Sequence, residues 1–71
     1  MRILVGANVR SARRRIGMSQ GALSEACGFS QQYLSELENG KRNPTVITLF
    51  EIAQALKVEV HSLLLRPAAI E

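Results

Sequence analysis

The sequence holds one cysteine, one histidine and no tryptophan in 71 residues. A lone Cys27 cannot close an intrachain disulfide and has no Cys or His neighbour at metal-ligand spacing. Neither a disulfide framework nor a metal site is expected, and the setting expected is reducing and cytoplasmic. Long apolar runs are missing as well. The run Ile3 to Val5 is cut short by Gly6 and the arginines that follow, too short for a secretory signal or a membrane span. No paired carboxylates mark a pocket and no nucleotide or cofactor motif occurs, so an enzyme, a cofactor and a small-molecule ligand are all unexpected. Period-two alternation is confined to Val58 and Val60, in a short connection, which points to an all-α fold.

A chain of this length is read as one domain, with a core over about residues 3–65, a frayed tail over 66–71 and no room for an effector domain. Domains this small bury only ~60% of their unfolded surface, so self-association would help. Nine Lys and Arg against six Asp and Glu leave a net charge of +3, and Arg2, Arg10, Arg13, Arg14 and Arg15 crowd the first fifteen residues. That asymmetry suits a polyanionic partner, and it equally suits a solvated helix end whose cations complement the C-terminal dipole.

Apolar spacing organises the rest. Val5, Val9, Ala12 and Ile16 follow helical steps up to Gly17. Ser19 can cap a second helix over Gln20 to Cys27, with Leu23, Ala26 and Cys27 on or beside one face and Gly28 as its stop. Ser30 can cap a third, ended by Asn39-Gly40, with Leu34 and Leu37 inward and Gln31, Gln32, Ser35 and Glu36 outward. Thr45 can cap a fourth, with Val46, Leu49, Ile52, Ala53 and Leu56 inward, and a short fifth is expected near His61 to Leu65. His61 is read as a surface residue.

The informative stretch runs from Ser19 to Leu37. Ser24, a small residue four before Gly28, lets two helices approach; Gly28 supplies the turn; Leu34 plugs the angle between them. Two glutamines then stand at the exposed start of the third helix, where amides can donate and accept at an adenine edge and the helix terminus favours phosphate. Taken singly they would pass as solvated first-turn residues.

These residues carry a family resemblance. The run G-M-S-Q-G-A-L-S-E-A-C-G-F-S-Q-Q-Y-L-S-E-L-E-N-G-K-R-N-P, followed by T-V-I-T-L-F-E-I-A-Q-A-L, resembles the phage-repressor and Cro type of helix-turn-helix regulator, the XRE-like family. The resemblance implies five helices, double-stranded operator DNA as the partner, and a homodimer regulating transcription, most simply a repressor. It also implies roles. Gln31 and Gln32 fall at base-reading positions, with Ser35 and Glu36 one turn on. Arg10, Ser19, Gln20, Ser30, Asn39, Lys41 and Arg42 fall on or near the DNA backbone. Arg13 matches an arginine that pairs with Glu38; it is counted with the backbone contacts, although a purely internal pair stands as the alternative.

Three positions depart from the family pattern or leave a role open. Ser24 replaces the alanine usual in the turn and is expected to bond back into its own helix. Glu36 either accepts from a cytosine amino group or repels phosphate at wrong sites. Tyr33 packs on the sugar-phosphate edge or a thymine methyl, or sits half-buried at the edge of the core. Ile47, with Val58, Val60 and Leu64, is the expected dimer patch. Two alternatives to a simple repressor come with the resemblance: an antitoxin that sequesters a partner protein, and a controller protein of a restriction-modification system.

Overall fold

The computed structural model describes residues 2–65. In chain order these form α1 (Arg2–Arg15), α2 (Gln20–Cys27), α3 (Gln31–Glu38), α4 (Val46–Leu56) and a single 3₁₀ turn over Val60–Leu63, with no strand among the described residues. The all-α expectation holds, but the fifth helix is reduced to that turn. Asn8 gives the reason: its amide donates to the carbonyls of Leu63 at 2.8 Å and Leu65 at 2.7 Å. Two carbonyls that would otherwise need further helical bonding are thereby satisfied from α1. The tail over 66–71 lies outside the described residues.

The capping serines and threonine act as the sequence suggests. Ser19, Ser30 and Thr45 each accept a backbone N–H three residues on, at 3.0, 3.0 and 3.1 Å. α3 ends in a reciprocal pair of bonds, Lys41 N–H to Glu36 O at 2.8 Å and Gly40 N–H to Leu37 O at 3.0 Å, which is a Schellman closure. That closure turns the following Lys41-Arg42 back beside the outer face of α3.

The core is aliphatic. Val9, Leu23, Leu34, Leu37, Ile52 and Leu56 are fully enclosed, and Val5, Leu49, Ala53 and Leu63 nearly so. α1 packs on α3, α2 packs on α3 and α4, and the 3₁₀ turn closes against α4 and α1. Gly6 makes the first of these contacts possible. A Cβ there would collide with the carbonyl oxygen of Leu37 and stand 2.9 Å from that of Glu38, so only a residue without a side chain lets α1 approach the end of α3 so closely.

Three inward assignments fail. Ile16 is 48% exposed, because Met18 N–H to Arg13 O and Gly17 N–H to Arg14 O close α1 before the stripe reaches it. Val46 is 75% exposed; Thr45 is the cap, so Val46 is the first helical residue and precedes the turn where α4 meets the core. Ala26 is exposed as well, leaving Leu23 as the one fully enclosed residue of α2.

Candidate nucleic-acid interface

α2 and α3 meet across a turn of three residues. Gly28 adopts φ 83° and donates its N–H to Ser24 O at 2.9 Å, a left-handed helix stop that a side chain would strain. Ser24 does not bond back into its own helix. Its hydroxyl donates forward to the carbonyl of Phe29, so it ties the end of α2 to the residue just before the α3 cap. The small residue in the turn therefore also sets the turn's shape.

Beneath the turn, Glu38 gathers three elements. Its carboxylate is fully enclosed and accepts two bonds from Arg13 on α1, Nε to Oε2 at 2.7 Å and Nη2 to Oε1 at 3.0 Å. Gln20, the first residue of α2, donates to Oε1 at 3.1 Å, and the Arg10 guanidinium stands 3.5 Å from the same oxygen. Arg13 also donates to Met18 O at 3.0 Å. Burial pushes the Glu38 carboxyl up, but the bonds from Arg13 and Gln20 and the Arg13 charge outweigh it and hold the group below the ordinary carboxylate range. The Glu38 bond correspondingly raises Arg13. A forked guanidinium matched to a carboxylate is the strong form of such a pair.

This geometry sorts the residues nominated for the DNA backbone. Arg13 has only 11% of its side chain exposed and its donors are turned inward, which favours the internal-pair alternative for it. Gln20 is half-buried, with its amide on Glu38. Arg10 remains 41% exposed and donates to Asn39 Oδ1 at 3.2 Å, a contact that sequence spacing did not suggest. Ser19 and Ser30 use an oxygen lone pair in capping and keep the hydroxyl proton to donate. Asn39 anchors itself by donating to Ser35 O at 2.9 Å, and Lys41 is exposed.

The outer face of α3 presents the four nominated base readers. Gln31 and Gln32 are exposed, while Ser35 and Glu36 are half-exposed. Glu36 accepts from Arg42 Nε at 2.7 Å, and Gln32 Nε2 stands 3.5 Å from its other oxygen. The Arg42 bond first, then the Gln32 bond, hold the Glu36 carboxyl below its ordinary range. Arg42 also lies 5.3 Å from the centre of the Tyr33 ring, which leans on Phe29 at 5.5 Å between centroids. Tyr33 is thus half-buried at the edge of the core, and it shelves the guanidinium.

The geometry is two capped helices across a tight turn, with an exposed amide pair at the start of the second and a basic loop folded beside it. The HTH_3 helix-turn-helix family model matches residues 9–63. The chain belongs to that family. The helix-turn-helix chain is 60% identical over 58 residues to the HTH-type transcriptional regulator y4dJ of Sinorhizobium fredii, covering 82% of this chain and 75% of that protein. It spans 47% of an HTH-type regulator of Mycobacterium tuberculosis to which it is 38% identical over 66 residues. Among solved structures it is similar to the restriction-modification controller protein C.AhdI from Aeromonas hydrophila, with a TM-score of 0.83 at 30% identity, covering 86% of this chain and 92% of that one. It is similar also to the biofilm regulator SinR in complex with DNA, with a TM-score of 0.79 at 34% identity, covering 84% and 97%. The chain is a DNA-binding transcriptional regulator of the helix-turn-helix family. No described helix is long and apolar enough to cross a membrane.

The second nominated surface is formed by α4 and the 3₁₀ turn with its flanks. Ile47 is 74% exposed and Leu64 42%, whereas Val58 and Val60 are half-buried and packed on the core. Val46 and Phe50 join Ile47 on the exposed side of α4. Pro44, Val46, Leu49, Val60 and Leu64 line a shallow apolar groove of about 240 Å³. The signal for it was present in V-I-T-L-F, where two apolar stripes interleave and only Leu49 belongs to the core stripe.

Proposed function

We propose that the protein binds a pseudo-palindromic operator as a homodimer in the cytoplasm and represses the promoter it covers. The observation that carries this reading is the pairing of two faces on one small body: exposed amides at the N-terminal end of α3, and an exposed apolar stripe on α4 beside a groove. In a twofold dimer each α3 enters a major groove, and half-sites lie about one helical turn, ~34 Å, apart. Gln31 and Gln32 read base edges, with Ser35 and Glu36 one turn on. Arg10, Lys41 and Arg42, with the capped N-termini at Ser19 and Ser30, meet phosphates. Ile47 and Leu64, now with Val46 and Phe50, meet the partner copy, while Val58 and Val60 support that face from beneath.

A promoter-bound dimer can also regulate a restriction-modification locus. The likeness to C.AhdI over most of both chains favours this second reading; it differs in the genes controlled rather than in the chemistry.

The test is selection from a random double-stranded library by the purified chain, followed by salt titration on the enriched site. The expected result is a pseudo-palindrome with half-sites one turn apart, and an affinity that falls ~10³ to 10⁵-fold between about 50 and 200 mM salt for roughly eight phosphate contacts. No enriched sequence would overturn the operator reading.

A further inference from the structure

Glu36 is an unusual group to place against DNA. It lies one turn beyond Gln32 on the outward side of α3, a third exposed, where an uncompensated carboxylate would be repelled by phosphates on both flanks. The chain supplies its own compensation. Arg42 spends one N–H on Glu36 Oε1 at 2.7 Å while its guanidinium rests over Tyr33. The other oxygen, Oε2, has only the Gln32 amide at 3.5 Å, the outer limit of a hydrogen bond. An acceptor with little to accept is thus held, electrically neutralised, on the face that enters the groove.

We propose that Glu36 reads a cytosine through its N4 amino group, and that Arg42, shelved on Tyr33, is the counter-ion that lets the carboxylate enter the major groove. The inference rests on the operator-binding reading and adds the base and the device that reads it. A carboxylate donates nothing, so guanine, with O6 and N7, and thymine, with O4, both oppose acceptor to acceptor. Adenine offers an amino group beside the lone pair of N7, which the second carboxylate oxygen would face. Cytosine offers an amino group whose neighbour on its own ring is C5–H, with no lone pair, so the second carboxylate oxygen meets no acceptor on the base itself. Arg42 keeps further N–H donors for a phosphate while it holds Glu36, so one guanidinium links the base contact to the backbone contact.

The experiment is the random-library selection run in parallel on the wild type, Glu36→Gln and Lys41→Ala, followed by titrations on duplexes carrying each base pair at any position where the selections differ. Thermal unfolding checks that Glu36→Gln, a substitution at a partly exposed site, folds as the wild type does. The expected wild-type result is one position per half-site fixed as C·G, preferred about tenfold or more over the other pairs. Glu36→Gln moves that position to A·T, the pair a glutamine amide reads, and leaves the other positions alone. Lys41→Ala keeps C·G and weakens all duplexes alike. Should Glu36→Gln select the same site as the wild type and bind every duplex more tightly by one common factor, Glu36 merely restrains Arg42 and the inference is overturned by itself. Should the wild type enrich no site, the operator reading falls and takes this inference with it.

Discussion

Glu36 and Glu38 stand two residues apart on one helix, and each meets an arginine nitrogen at 2.7 Å. By distance alone they are the same interaction. Glu38 has no exposed side-chain surface and its arginine has 11%, whereas Glu36 is 33% exposed and its arginine 50%. The first pair is cut off from water and fixed by two further donors, so losing either member strands a buried charge. The second is partly open to solvent, where screening weakens it, and its arginine has donors to spare for a phosphate while it keeps the carboxylate. α3 thus has two faces with separate work: the inner acid holds α1, α2 and α3 together, and the outer acid is available to a ligand. Equal ion-pair geometry is a poor guide to what a pair does; access of water is the better one.

The sharpest way to break this contrast is Glu38→Ala, expected to cost about 3 to 5 kcal/mol as Arg13 loses its partner in an enclosed site. Domains of this size hold roughly 4 to 10 kcal/mol in all, so urea unfolding should show most of the stability gone. Acid sharpens the same point. Because the folded Glu38 carboxyl is held below its ordinary range, its contribution is present above the unfolded pKa of about 4.3 and lost as pH falls through the lower folded value. The gap in urea midpoint between wild type and Glu38→Gln should therefore be constant near neutrality and shrink below about pH 4.3, while the gap for Glu36→Gln, where the carboxyl is lowered in the same direction but in a pair open to water, stays small at every pH.

Smaller effects belong to the outer face. Gln31→Ala and Gln32→Ala should each cost about 1 to 3 kcal/mol on the selected duplex and little on a scrambled one, by competition titration, with unfolding unchanged. Lys41→Ala should weaken both duplexes alike and reduce the slope of log affinity against log salt by about one.

Much of this was legible in the sequence because its punctuation is chemical. Ser19, Ser30 and Thr45 mark helix starts, Gly28 and Asn39-Gly40 mark stops, and Leu34 and Leu37 orient α3 so that the glutamines must face out. What escaped depends on where a helix begins or ends relative to its stripe. Val46 and Ile16 have the right spacing, yet one lies at the first helical residue and the other beyond the last. The fifth helix shortened because Asn8, 55 residues from Leu63, supplied its carbonyl partners, and local spacing has no means of showing that. In the sequence Gly6 only ends the short apolar run Ile3 to Val5; its purpose, the close approach of α1 to the end of α3, needs the third dimension. The Arg42 to Glu36 contact likewise follows from the chain reversing after the Schellman closure.

The two faces of α3 are separable. The most direct test of this measures urea stability and the preference for selected over scrambled duplex together, on wild type, Glu36→Gln and Glu38→Gln. Separable faces predict that Glu38→Gln loses stability and keeps the wild-type base preference, while Glu36→Gln keeps stability and changes the preference at one position. If both properties moved together in both variants, α3 would be acting as one unit and the division of labour drawn here would be wrong.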